Sequence, residues 1–160
     1  MHANNLKVQD FLQKSGIDAK IQLLPAAVHT AKLAAQALDC EPAQIANSLI
    51  FKQVDSAEAV LVLCAGDRRV DLAEIAIKTG LQLAKADASF VREQTGFVIG
   101  GVAPVAQRYP LRTIIDKSLQ RFDAVWVAGG TPNSIVQIEL QDLQRITAGE
   151  WQEVSVPRAD

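Results

Sequence analysis

The stretch that decides the fold is Ile45-Ala46-Asn47-Ser48-Leu49-Ile50-Phe51-Lys52-Gln53-Val54, followed after Asp55-Ser56-Ala57-Glu58 by Ala59-Val60-Leu61-Val62-Leu63-Cys64-Ala65. Two apolar, branched runs joined by a polar four-residue link predict a hairpin in a buried sheet, because branched side chains pack well on a pleated surface. Upstream, Leu6, Val8, Phe11 and Leu12 recur at helical spacing between Asn5 and Ser15, and Gly16 follows as a stop. Ala19–Leu24 reads as a strand. Thr30 can cap a helix running to Leu38 that carries Leu33, Ala34, Ala37 and Leu38 inward.

Downstream, Gly66-Asp67 turns the chain, Asp71 caps a helix to Lys78, and Asp87 opens another that runs to Gln94 before Gly96. Arg112–Ile115, Ala124–Ala128 and Ser134–Glu139 read as strands, Leu140–Ile146 as a helix, and Trp151–Val156 as a closing strand. The order is α+β, without regular βαβ alternation. With 160 residues, 49% hydrophobic and 21% charged, and no Pro/Ser-rich linker or internal repeat, a single ordered domain over 1–160 is expected.

Composition also limits function. A net charge of -2 with interspersed signs lacks the broad basic footprint of general nucleic-acid binding, so contact with nucleic acid should be local and DNA is not an expected partner. The polar start from Met1 to Asp10 lacks the apolar core of a secretory leader, and no apolar run reaches the ~20 residues of a membrane span, so a cytoplasmic location is expected. Cys40 and Cys64 are expected to remain thiols, Cys64 within the core. His2, His29, Cys40 and Cys64 have no short ligand spacing, so neither a metal nor any other cofactor is expected. Gly100-Gly101 is not followed by Lys-Ser/Thr, which removes a nucleotide P-loop. No Gly-x-Ser-x-Gly elbow exists, and a dyad of His29 with Cys40 or Ser48 has little to support it.

What remains is glycine. Thr95-Gly96-Phe97-Val98-Ile99-Gly100-Gly101-Val102-Ala103-Pro104 can expose backbone amides to a small ligand, or simply turn the chain. Gly129-Gly130-Thr131-Pro132-Asn133 offers the same pair of readings. If Gly101 faces a cavity, Gly101→Val should leave the fold largely intact.

Together, Ile45–Phe51, Ala65-Gly66-Asp67 with Val70-Asp71-Leu72, Thr95-Gly96 with Gly100-Gly101-Val102-Ala103-Pro104, Ile115–Leu119 and Val127-Ala128-Gly129-Gly130 resemble, in the same order, the YbaK/ProX family. Its members include the insertion editing domain of bacterial prolyl-tRNA synthetases. The resemblance spans about Thr30 to Ile146. It implies an α/β fold with a curved, mostly antiparallel mixed sheet wrapped by helices, and a small pocket for the aminoacyl end of tRNA. It implies a trans-editing hydrolase that deacylates small mischarged aminoacyl-tRNA of the prolyl type, with an aminoacyl-tRNA synthetase as a partner and with water activated with help from the substrate's own ribose hydroxyl.

Carried onto this chain, the resemblance places Asn47, Gly100 and Gly101 at the catalytic centre, with His29, Thr30, Ser48, Pro104, Gly129 and Gly130 around the substrate. Many relatives hold the aminoacyl-adenosine end with a Lys where this chain has Asn47, and some carry Asp where it has Gln137. Lys52 cannot replace that Lys, because five residues along a strand reverse the face. The alternative is therefore an aminoacyl-tRNA-binding module without catalysis. His29 reads equally as helix entry or pocket rim, and Asp116 as the cap of the Lys117–Leu119 turn.

Overall fold

The computed structural model describes residues 1–28 and 30–158. The expected hairpin is its centre. Strands β2 (Ala46–Gln53) and β3 (Ala59–Ala65) pair antiparallel, with Asn47 opposite Cys64 and Ser48 opposite Leu63. All seven residues of β3 are buried, which explains an apolar run without alternation: it has protein on both faces. Leu61, Leu63 and Ala65 enter the largest apolar cluster, whereas Val60 and Val62 enter a second one with Ile75 and Ile114.

The helices start where side-chain caps predict. Helix α1 spans Ala3–Lys14; α2, Ala31–Leu38, is capped by the Thr30 hydroxyl, which accepts from Leu33 N at 3.1 Å. In α3, Leu72–Thr79, Asp71 accepts from Ala73 and Glu74 N, and in α4, Ala88–Thr95, Asp87 accepts from Phe90 N. Helix α5 spans Leu140–Thr147.

Beyond β2 and β3, the main sheet contains β5 (Leu83–Lys85), β6 (Arg112–Asp116) and β9 (Glu150–Gln152), in the order β5-β2-β3-β6-β9. A second sheet, β1-β8-β7, is built from Gln22–Leu23, Ser134–Glu139 and Ala124–Ala128. A bridge between Ile45 and Trp126 joins its edge to the start of β2. A two-strand ribbon pairs β4 (Arg68–Val70) with β10 (Ser155–Pro157). Among the named strands pairing is antiparallel except for β3 with β6 and β6 with β9, and the Ile45–Trp126 bridge is parallel, so the expected mixed, mostly antiparallel α/β architecture is present. The largest cluster lies between the two sheets and is closed by Val8 and Leu12 of α1, Val91 of α4 and Leu143 of α5.

Three local expectations change. On α1 the buried face is Asn5, Val8 and Leu12, while Leu6 is 57% exposed. On α2 it is Ala31, Ala34 and Ala35, with Leu33 and Ala37 outside, because small residues let the helix lie close to Ile45 and Ile135. The closing strand is two strands in different sheets, divided at buried Val154, whose N–H donates to Asp116 Oδ1 and whose carbonyl accepts from Asp71 N.

Both cysteines are free, and burial, aided by the nearby Asp116 charge, pushes the Cys64 thiol up to about 12. Since the thiolate is the nucleophile, iodoacetamide at pH 8 is expected to alkylate only half-buried Cys40 in the native protein and both thiols in urea. Intact-mass counting reads the result.

Candidate active site

The first glycine loop leaves α4 on a polar hinge. Thr95, fully buried, donates through Oγ1 to Val91 O at 2.7 Å and accepts from Phe97 N at 3.0 Å, which seats Phe97 in the core. A turn then closes with Gly101 N donating to Val98 O at 2.9 Å; Gly100 sits at its third position with φ +88°, a conformation that glycine adopts without penalty. Val102, Ala103 and Val105 re-enter the core, and Pro104 is buried with them. The loop is thus pinned on both sides of an exposed tip.

Gly101 itself does not face a cavity. A Cβ there would stand 2.7 Å from the Thr131 carbonyl carbon and 2.9 Å from Pro132 N, so its hydrogen allows two backbones to touch. The expectation that Gly101→Val spares the fold is therefore wrong. At Gly100 a Cβ would meet only the Pro132 side chain, at 4.0 Å.

The second loop, 129–133, is held from behind by α1. Asn5, 1% exposed, donates through Nδ2 to Gly129 O at 2.8 Å, Ser134 Oγ at 3.0 Å and Thr131 Oγ1 at 3.2 Å. Thr131 and Ser134 close the network: Thr131 N donates to Ser134 Oγ at 3.1 Å, and Ser134 Oγ donates to Thr131 O at 2.9 Å. From the other side, Leu24 N and Val28 N donate to Asn133 O and Pro132 O, laying the chain that leads to Thr30 along this loop. Asn5, Thr131 and Ser134 were missed as a unit in the sequence. The available signal was an amide at position 5, three residues before Val8 on the buried stripe.

The structure therefore brings Gly100 and Gly101 against Thr131 and Pro132, in the loop that opens with Gly129 and Gly130, with the entry to Thr30 alongside; Gly129 and Gly130 themselves pack on Ile21, Asn4 and Val8, and Pro104 is buried. It separates Asn47 from Ser48. Adjacent strand residues face opposite ways, so Ser48 shares the face of Ala46, Ile50 and Leu63, in the cluster that also holds Val102 and Ala103, whereas Asn47 lies on the face of Cys64. Among the described residues no hydrogen bond joins Asn47 to either loop. His29 lies outside the described residues. Lys52 is on the face away from Asn47, over the Phe90 ring at 5.4 Å. Gln137 borders a different depression, of about 420 Å³, with Trp126 and Asp142. Asp116 caps the Lys117 turn through Ser118 N and also binds Ser155 Oγ at 2.7 Å, a structural junction.

The loop pair borders a surface depression of about 400 Å³ whose walls include Asn4, Leu23, Val98, Gly130 and Pro132. Its backbone supply can be counted. Gly101 N and Gly129 N are consumed by Val98 O and Ser134 O, while Gly100 N and Gly130 N have no acceptor among the described residues. Of the two, Gly130 borders the depression, and a pre-set backbone donor there can stabilise an oxyanion without reorganising.

The sequence profile described as the aminoacyl-tRNA editing domain matches residues 25–146. The chain belongs to the aminoacyl-tRNA editing-domain family. This is the YbaK/ProX type anticipated from the motifs, and both glycine loops fall inside the match. Among solved structures, a candidate trans-editing enzyme for prolyl tRNA synthetase is 36% identical with a TM-score of 0.90, over 98% of this chain and 99% of that one. A protein solved as a scaffold for computational epitope backbone grafting is 34% identical with a TM-score of 0.91, over 98% and 99%. The uncharacterized protein YwhH of Bacillus subtilis (strain 168) is 30% identical over 118 residues, 74% of each chain. Editing implies aminoacyl-tRNA as the substrate class. No helix among the described residues is long and apolar enough to cross a membrane.

Proposed function

We propose that this protein is a trans-editing hydrolase that removes a small, wrongly attached amino acid from tRNA of the prolyl type, in the cytoplasm and in association with a synthetase. The observation that carries the reading is the pair of family loops closed on each other beside a depression that Gly130, its amide unspent, borders. A synthetic site separates amino acids that differ by one methylene by only ~1–3 kcal/mol, which is why a second hydrolytic sieve is useful. Ester cleavage then needs a positioned water and a donor for the oxyanion, and the second loop supplies the latter. The prolyl assignment draws on likeness to the candidate trans-editing enzyme over nearly the full length of both chains.

A second reading, binding without turnover, is motivated by Asn47, a neutral amide at the position where the resemblance puts a Lys in many family members. Incubation of the purified protein with Ala-, Ser-, Thr-, Cys- and Pro-charged tRNAs separates the two. Release of one non-cognate amino acid is expected; saturable binding with no release from any member would favour the module.

Ser48 offers an internal check. Its Oγ is buried with no hydrogen-bond partner among the described residues, and an unpaired buried hydroxyl costs ~1–3 kcal/mol. Ser48→Ala is therefore expected to raise stability by up to ~1 kcal/mol in urea unfolding. If the hydroxyl meets substrate, the same variant loses deacylation while gaining stability, a combination that a packing role would not produce.

A further inference from the structure

Sixteen Lys and Arg residues look scattered along the chain, but folding gathers five of them, Arg68, Arg69, Lys117, Arg121 and Arg158. Strand β4 sets Arg68 opposite Pro157 and Arg69 opposite Val156 of β10. Arg158 follows directly, its N–H donating to Asp67 O at 3.3 Å. Arg121 forks onto the Asp67 carboxylate at 2.8 and 2.9 Å, and Arg68 donates to Ser155 Oγ and Ser155 O, both at 2.9 Å. Ser155 in turn binds Asp116, the neighbour of Lys117.

The acids here are largely occupied. Asp116 is 1% exposed and fully engaged, Asp67 is held by Arg121, and Asp71 caps α3; Glu153 is exposed in the link before β10. Elsewhere four bases sit in ion pairs, Lys14 with Asp10, Lys78 with Glu74, Arg112 with Glu150 and Arg145 with Asp142, while others on separate elements, such as Lys20, Lys32 and Lys85, have no carboxylate partner among the described residues. Exposed Arg69 and Lys117 have no carboxylate partner among the described residues. The ribbon also adjoins the Asn47 end of the central hairpin: Ala65 pairs with Ala46, Gly66 N donates to Ile45 O, and the next residues turn into β4.

We infer that the outer surface of the β4–β10 ribbon, with Lys117 and Arg121 beside it, is the seat for backbone phosphates of the tRNA acceptor strand. This rests on the editing reading for the identity of the RNA, and on the charge arrangement alone for its location. Guanidinium groups pair with phosphate oxygens in a bidentate fork, and Arg69 and Lys117, unlike Arg121 with its Asp67 partner, meet a phosphate without first breaking an ion pair. A chain of net charge -2 can then hold RNA locally.

The test compares the full chain with the double variant Arg69→Glu/Lys117→Glu and a control of equal charge change on exposed sites elsewhere, Lys20→Glu/Lys85→Glu. Affinity for an uncharged prolyl-type tRNA transcript is measured by fluorescence anisotropy across a salt series. The ribbon variant is expected to bind at least about tenfold more weakly at 0.1 M salt, with a log–log salt slope shallower by about 1.4–1.8, as for two lost phosphate contacts. The control should change less than threefold. Hydrolysis of a small aminoacyl-adenosine ester, which has no phosphate to dock, should be the same in the ribbon variant and the parent. Equal losses in both doubles, or an unchanged slope in the ribbon variant, would overturn the assignment, as would loss of binding to an acidic partner protein with tRNA affinity intact. If the parent hydrolyses no ester but the slope change appears, the docking surface stands and the editing reading fails.

Discussion

Gly101→Val is expected to lower the thermal midpoint by roughly 6–12 °C, from ~3 kcal/mol of lost stability at ~2–4 °C per kcal/mol for a chain of this size. The cause is contact with main chain: the new Cβ would lie 2.7 Å from the Thr131 carbonyl carbon, and Thr131 is itself tied down by Ser134. Neither loop can withdraw, since the first is anchored by Val102 and Ala103 in the core and the second by Asn5. Gly100→Ala is the companion. It meets open space but must hold φ +88°, so a cost of only ~1–2 kcal/mol is expected. Differential scanning calorimetry of both variants decides the matter. Equal midpoints would show that the two loops part easily, and would remove the rigid tip on which the proposed oxyanion donor depends.

The second large effect is expected at Asn5. Truncation to Ala leaves the buried Gly129 carbonyl without its donor and opens a void at the helix face, together worth ~2–4 kcal/mol in urea unfolding. Asn5→Asp should cost at least as much, although it keeps the shape. A carboxylate has nothing to donate to Gly129 O, and its charge would be buried against acceptors. If Asp were tolerated as well as Asn, the amide would not be the clamp described here. Because the clamp sets the position of Gly130, both variants are also expected to lose deacylation at temperatures where they remain folded.

The elements legible in the sequence are those whose cause is local. Asp71 and Asp87 announce α3 and α4 with a side chain that bonds the backbone two or three residues on, and the β2–β3 hairpin announces itself through one unbroken apolar run. The three-residue strands β4 and β5 have no such signal, because each is defined by a partner far along the chain. The division at Val154 is of the same kind: what stops β9 is Asp116, 38 residues away. At the site, motif order found both glycine loops, but not that Gly101 serves packing against Thr131 while Gly100 holds the open amide. The faces of Asn47 and Ser48 follow from strand alternation once β2 is known. Their separation was obscured by reading two adjacent polar residues as one site.

The clamp between Asn5 and residues 129–134 also sets a timetable for synthesis. Among the described residues β1 pairs with β8 alone, and α1 is fastened by Asn5 to Gly129 and Ser134, so these two elements lack their full set of partners until residue 134 has been made. At ~5–20 residues per second, the interval between making Leu23 and making Ser134 is on the order of 6–22 s. Through that time Val8 and Leu12 have none of their β7 and β8 neighbours to cover them, so on the ribosome α1 carries an apolar stripe that a chaperone can shelter.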